Sequence, residues 1–141
     1  MSTILIAEDE DLLRQELCDV IKDQGYHVLT ANDGESALAA LRTNSVQLVI
    51  TDLRMPRTGG LELIRKGRET SPDSQFLIMT AFGSMETAIE ALRAGAIDYV
   101  LKPLAMDELL AKVNRFMETI ELRANNRMLK RDLDRKVGTL E

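Results

Sequence analysis

The sequence predicts an α/β protein: a five-stranded, doubly wound parallel sheet with an extended C-terminal helix. Two patterns and one placement carry that expectation. Five short runs rich in branched or aromatic apolar residues alternate with five segments whose apolar residues recur at helical spacing. Runs that are largely apolar suit strands covered on both faces, and right-handed crossovers put helices on both faces of such a sheet. Chemistry-bearing groups then fall where the strands should end: Glu8-Asp9-Glu10-Asp11, Asp52 and Lys102-Pro103. Ligands of open parallel sheets bind beyond the carboxyl ends of the strands, so groups distant in sequence converge on one rim.

The first strand, Thr3 to Ala7, runs straight into acid. Leu13, Leu17, Val20 and Ile21 mark the first helix, and Gly25 follows it. Tyr26 to Ala31 is less uniformly apolar and reads as an edge strand. Asn32-Asp33-Gly34 opens a second helix with Ala37, Leu38 and Leu41 on its apolar face. Val46 to Thr51 is the third strand. Gly59-Gly60 precedes the third helix, which carries Leu61 and Ile64, and Ser71-Pro72-Asp73 closes it. After the fourth strand, Phe76 to Thr80, Ser84 follows Gly83 and is placed to cap a fourth helix by accepting a hydrogen bond from a first-turn amide. Met85, Ala88, Ile89 and Leu92 line that helix, and Gly95 ends it after Ala94. Because Ala88, Ala91 and Ala94 are small, the fourth helix buries less bulk than its neighbours and should be among the most easily displaced. Ile97 to Leu101 is the fifth strand, and from Met106 the pattern stays helical.

A chain of 141 residues with 45% hydrophobic content makes one ordinary domain without staples, with some length left over. Its apolar stretches are too short to span a bilayer, and Met1-Ser2-Thr3 is no basic leader, so no membrane association and a cytoplasmic location are expected. Cys18 has no partner for a disulfide or CxxC site and falls among Leu13, Leu17 and Ile21 as a packed thiol. His27, the only histidine, makes no zinc cluster. A net charge of −5, with no basic, aromatic-interleaved face, argues against direct nucleic-acid binding. The first strand leads into acid rather than a Gly-rich turn, which excludes a dinucleotide fingerprint and a P-loop.

Carboxylates gathered on one rim repel one another, and a hard divalent cation is the simplest neutraliser. Oxygen-only ligands without His or Cys suit Mg²⁺. A carboxylate beside such a cation can attack phosphorus and form an acyl phosphate, with Asp52 the candidate nucleophile. Lys102 would bring a compact positive charge to a phosphoryl oxygen, and the Thr80 hydroxyl a hydrogen bond to another. Singly, each has an ordinary explanation: an acidic run favours a helix N-terminus, Asp52 can form a turn, Lys102 can be a loop charge and Thr80 a strand-end hydroxyl. Their joint occurrence at four strand ends indicates a site.

Four segments carry a resemblance: Ile4-Leu5-Ile6-Ala7-Glu8-Asp9-Glu10; Thr51-Asp52-Leu53-Arg54-Met55-Pro56 with Gly60 beyond; Met79-Thr80-Ala81; and Asp98-Tyr99-Val100-Leu101-Lys102-Pro103. In this order the chain resembles the receiver domain of bacterial two-component response regulators. The resemblance implies a flavodoxin-like (βα)5 receiver over residues 1–120. It implies phosphorelay signalling, in which a sensor histidine kinase passes a phosphoryl group to Asp52 and the surface of the C-terminal half changes to control an output. No enzymatic activity beyond autodephosphorylation is then expected. The resemblance makes Glu8, Asp9, Asp52 and the backbone carbonyl of Arg54 the ligands of Mg²⁺, with Mn²⁺ as the alternative; Glu8 stands where many members carry Asp. Lys102 is similar to the phosphate-contacting lysine, and Thr80 and Tyr99 to the switch pair. A cis bond is expected before Pro103. Arg54 and Phe82 would lie near the phosphoryl group, where variation tunes dephosphorylation. The fourth helix, fifth strand and fifth helix would form the changed surface, through which members often dimerise. Leu12, Arg14 and Gln15 read either as kinase contacts or as ordinary exposed helix positions.

On the last helix Leu109, Leu110, Val113, Met117 and Ile120 share a face. Beyond Glu121, Leu122, Leu129, Leu133 and Leu140 fit heptad core positions, with Asn126 and Lys136 between them. A dimeric coiled coil and a solvated helical tail both fit. The apolar phase shifts between Ile120 and Leu122, which in a continuous coil requires a stutter or a break. Residues 121–141 are therefore expected to be a helical linker leading to an output domain absent from this chain. That arrangement is similar to regulators with an AAA+ transcription-activator domain, although diguanylate cyclases, phosphatases and kinases use similar linkers. Two other functions compete. A phosphohydrolase would use Asp52 as nucleophile, but such enzymes usually carry a second Asp two residues on, where this chain has Arg54. An interaction module could keep the same fold without phosphorylation.

Overall fold

The computed structural model describes residues 2–81 and 85–140, with residues 131–140 described by their backbone alone. The elements alternate as β1 (Thr3–Ala7), α1 (Asp11–Asp23), β2 (His27–Ala31), α2 (Gly34–Thr43), β3 (Leu48–Asp52), α3 (Gly60–Thr70), β4 (Gln75–Ala81), α4 (Met85–Ala94), β5 (Asp98–Lys102) and α5 (Met106–Leu140). All strands are parallel in one sheet of order β2-β1-β3-β4-β5. This is the doubly wound five-stranded fold that the alternation predicts, with the less apolar strand at an edge. The chain divides into two compact units, Met1–Met106 and Asp107–Glu141.

In the first unit, strand alternation sorts the core onto two faces. Leu5, Val49, Phe76 and Ile78 point to one face, where they meet Leu38 and Leu41 of α2, Leu63 and Ile64 of α3 and Ala91 of α4. Ile4, Ile6, Leu48 and Ile50 alternate with them, while α1, packed on β1 and β2, buries Leu17, Cys18 and Ile21. Cys18 is thus a packed thiol. His27 opens the edge strand and is exposed.

Local chemistry sets the helix limits. Asp33 is the N-cap of α2, accepting the Ser36 amide at 2.7 Å, and this bond holds its carboxyl below the usual range. Gly25 and Gly95, both at positive φ, follow α1 and α4. At the end of α4 the Arg68 Nη1 donates to the Ala94 carbonyl at 2.8 Å, joining α3 to α4. Of α4 only Ala88 and Ala91 are buried, while Met85, Ile89 and Leu92 are exposed. The expectation of a lightly packed helix holds; the expected Ser84 cap lies outside the described residues.

One boundary departs instructively from the apolar pattern. Val46 is buried, yet β3 starts at Leu48, because the Val46 carbonyl accepts the Ser74 hydroxyl instead of a ladder amide. Apolar runs report burial, not pairing.

In the second unit, α5 runs unbroken through the phase shift between Ile120 and Leu122. Leu122 and Leu129 are exposed on it, whereas the side chains of Leu133, Lys136 and Leu140 lie outside the described residues. Among the described residues no helix is long and apolar enough to cross a membrane.

Gly67 tests the tightness of the α3–β4 contact, since a Cβ there would come within 2.7 Å of Cζ of the fully buried Phe76. Helix propensity favours alanine by about 1 kcal/mol, and overpacking costs about 1–3 kcal/mol. Gly67→Ala is therefore expected to lower the unfolding free energy by about 1 kcal/mol, read from urea titration with an unchanged slope.

Candidate functional site

The register of the sheet builds the site before any side chain is considered. Ala7 of β1 stands opposite Thr51 of β3, so the residues that follow, Glu8 and Asp52, emerge side by side. Asp9 comes next along the chain. Carboxylate oxygens of Glu8, Asp9 and Asp52 all lie within 4.8 Å of one another. On the far side Lys102 ends β5, separated from β3 by the whole of β4, a gap of about 10 Å. A long side chain can bridge that gap only over a small neighbour, and the β4 residue in register with Lys102 is Ala81. Its Nζ reaches Glu8 Oε1 at 2.5 Å and Asp52 Oδ2 at 3.0 Å. The peptide bond from Lys102 to Pro103 is cis.

Burial differs sharply among these groups. Glu8 is fully buried, Asp52 and Lys102 are half-buried, and Asp9 is exposed. Burial pushes the Glu8 carboxyl up from 4.5 to about 7; the Lys102 hydrogen bond opposes this and the nearby Asp52 charge adds to it. Burial alone would lower the Lys102 pKa, but its hydrogen bonds to Glu8 and Asp52 and their charges outweigh that, and the net direction is upward. One ammonium facing a cluster of carboxylates leaves an excess of negative charge. An all-oxygen donor set with such an excess suits a hard divalent cation.

Two loops hold the carboxylates in place. Between β1 and α1, Arg14 folds back so that Nη1 donates to the Glu8 carbonyl at 2.9 Å and Nη2 to Asp11 Oδ1 at 2.6 Å. Arg14 is therefore half-buried and tied to the acidic turn, not the freely exposed position its sequence suggested; Leu12 and Gln15 are exposed. Between β3 and α3, Arg57 and Thr58 adopt positive φ of 58° and 106°, unfavourable for a β-branched Thr. Gly60 closes this loop with its amide on the Leu53 carbonyl at 3.0 Å, and its missing side chain is what lets it approach the Asp52 carbonyl.

A cavity of about 130 Å³ opens beside Asp52. Leu53 and Arg54 form one wall, Thr80 and Ala81 of β4 another, and Lys102 and Thr87 of α4 complete it. The Arg54 amide faces Asp52 Oδ1 at 3.4 Å. Thr80 is 2% exposed and has no hydrogen-bond partner among the described residues. Tyr99 is half-buried against the core, on the same face of the sheet as Thr80 and two positions short of its register partner Leu101. The structure thus gathers Glu8, Asp9 and Asp52, pairs Lys102 with Glu8 and Asp52, and sets Thr80 and Arg54 on the adjoining wall. Phe82 lies outside the described residues. Sequence reasoning did not single out Thr87, or Arg14 as a tie; for Arg14 the available signal was its i,i+3 spacing from Asp11 at the helix start.

Comparison with known proteins gives a consistent picture. The family model for the response regulator receiver domain matches residues 4–114. The regulatory protein AtoC of Escherichia coli is 36% identical over 129 residues, covering 92% of this chain and 28% of AtoC. The transcriptional regulatory protein ZraR of Salmonella typhimurium is 41% identical over 118 residues, covering 84% of this chain and 25% of ZraR. Among solved structures, NtrX from Brucella abortus superposes with a TM-score of 0.84 at 32% identity, covering 92% of this chain and 30% of NtrX. The chain spans about a quarter of the length of these curated relatives.

The raised Glu8 pKa gives a pH dependence of definite sign. A carboxyl whose folded value of about 7 exceeds its ordinary 4.5 opposes folding when ionised. That opposition is absent below pH 4.5, grows between 4.5 and about 7, and is complete above. In chelator-treated buffer, Glu8→Gln is therefore expected to gain stability relative to the wild type on going from pH 5 to pH 8. Urea titrations at the two pH values check this.

Proposed function

The chain belongs to the response regulator receiver domain family, and from that premise we propose that it is a phosphoacceptor switch with Asp52 as the acceptor. The observation that carries this reading is the Asp52 carboxylate, flanked by Glu8 and Asp9, paired with Lys102 at 3.0 Å and opening onto a cavity. The donor is a sensor histidine kinase. In the transfer, an Asp52 oxygen forms a bond to phosphorus as the bond from phosphorus to the histidine nitrogen breaks, and the imidazole leaves. In autodephosphorylation water attacks phosphorus, the acyl oxygen–phosphorus bond breaks, and inorganic phosphate leaves a free carboxylate.

Glu8, Asp9 and Asp52, with the backbone carbonyl of Arg54, would hold Mg²⁺, or Mn²⁺ in its place. When bound, the ion offsets the charge that the incoming phosphoryl group brings to an already acidic rim. Lys102 is positioned to move from its carboxylate partners to a phosphoryl oxygen, a compact charge on a long stem. The Thr80 hydroxyl, on the cavity wall, would donate to another oxygen, and Tyr99 would turn into the space this movement leaves. Arg14 keeps the acidic turn in place.

Residues 1–120 form the receiver in this reading, and 121–141 a helical linker that dimerises as a coiled coil. Exposed Leu122 and Leu129 and the heptad spacing support the linker assignment. The quarter-length match to regulatory proteins, one of them described as transcriptional, supports an output domain that controls transcription in the full-length protein. The protein would act in the cytoplasm.

With Mg²⁺ and a small phosphodonor, intact mass spectrometry is expected to show the gain of one phosphoryl group, lost in Asp52→Asn and on chelation. A gain that survives in Asp52→Asn would exclude Asp52 as acceptor. Arg14→Ala is expected to weaken Mg²⁺ binding by about tenfold, as loss of a group that orients a ligand does, measured by titration calorimetry. Sedimentation should give a dimer mass for the full chain and a monomer for a truncation after Ile120; monomers for both would exclude the coiled coil.

A further inference from the structure

We propose that Thr87 is a further phosphoryl-contacting residue, through which α4 is tied to the state of Asp52. This rests on the phosphoacceptor reading above and adds to it a contact from α4. Thr87 lies in the first turn of α4 and is the only α4 residue lining the cavity among the described residues. Its side chain is exposed and has no hydrogen-bond partner among the described residues.

Its effect follows from how little else holds the helix. α4 buries only Ala88 and Ala91, and its larger apolar residues stay exposed. A hydrogen bond from the first turn to an ionic oxygen is stronger than a neutral one, and here it would compete with few packing contacts. A phosphoryl group on Asp52 offers three oxygens. Lys102 and Thr80 approach from β5 and β4, and Thr87 from the helix.

The hydroxyl and the bulk of Thr87 separate by substitution. Thr87→Ser keeps the hydroxyl, Thr87→Val keeps the bulk, and Thr87→Ala keeps neither. The full chain and each variant are phosphorylated with Mg²⁺ and a small phosphodonor, the donor is removed, and phosphoryl loss is followed by intact mass. Amide hydrogen exchange across Met85–Ala94 is measured before and after. Thr87→Ala is expected to lose its phosphoryl group about three- to tenfold faster than wild type, the range for one hydrogen bond. Thr87→Val should lose the phosphorylation-linked change in α4 exchange, and Thr87→Ser should retain it. If wild type is phosphorylated on Asp52 but all three variants match it in lifetime and exchange, Thr87 has no such role. If wild type gains no phosphoryl group, the phosphoacceptor reading itself fails and this inference falls with it.

Discussion

Like charges at the ends of β1 and β3 cannot move apart without breaking the sheet. The pairing of Ala7 with Thr51 delivers Glu8 beside Asp52, and the turn that follows delivers Asp9. Two carboxylates at this separation repel by about 1 kcal/mol in water and about 4 kcal/mol at a protein-like effective dielectric. Much of the surrounding structure answers that repulsion. Lys102 crosses the end of β4 to reach two of the carboxylates, and Ala81 is small enough to let it pass. Arg14 ties the acidic turn to α1 through a backbone carbonyl, leaving the Glu8 carboxylate itself to face Lys102. The β3–α3 loop accepts positive φ at Arg57 and Thr58 and brings Gly60 against the Asp52 carbonyl, which fixes where Asp52 stands.

The same excess charge explains how such a rim can act as a switch. In the proposed function a phosphoryl group on Asp52 would replace one carboxylate charge with about two at a site already short of cations, so the positive and hydrogen-bonding groups around it would redistribute. A change of state needs contacts that differ between the two arrangements. The groups placed to provide them are Thr80 on the cavity wall, Tyr99 on the same sheet face and α4, which buries only two alanines. The other helices of the first unit bury larger side chains such as Leu17, Leu38 and Leu63. They form the fixed frame.

Most of the fold was legible in the sequence because burial and periodicity are local signals: each strand is an apolar run, and Tyr26–Ala31 betrayed its edge position by its polar members. The rim was legible because carboxylates and a lysine at strand ends are uncommon and a parallel sheet aligns those ends. What escaped depends on three-dimensional direction. Arg14 resembles any exposed helix residue until the turn brings the Glu8 carbonyl within its reach. Thr87 borders the cavity through the packing of α4, whose buried residues are Ala88 and Ala91, and no local pattern announces that. Val46 looks like a strand residue because it is buried, and only the Ser74 hydroxyl reveals that its carbonyl has left the ladder.

The claim on which the rest depends is that the Glu8–Asp9–Asp52 cluster carries charge that a divalent cation relieves. Thermal unfolding of the full chain under increasing Mg²⁺, against NaCl at matched ionic strength, tests it most directly. A ligand that binds only the folded state raises the midpoint progressively with its concentration. The result expected is such a rise with Mg²⁺, absent with NaCl and absent in Asp9→Ala. A midpoint that ignores Mg²⁺, or that rises equally with NaCl, would contradict it.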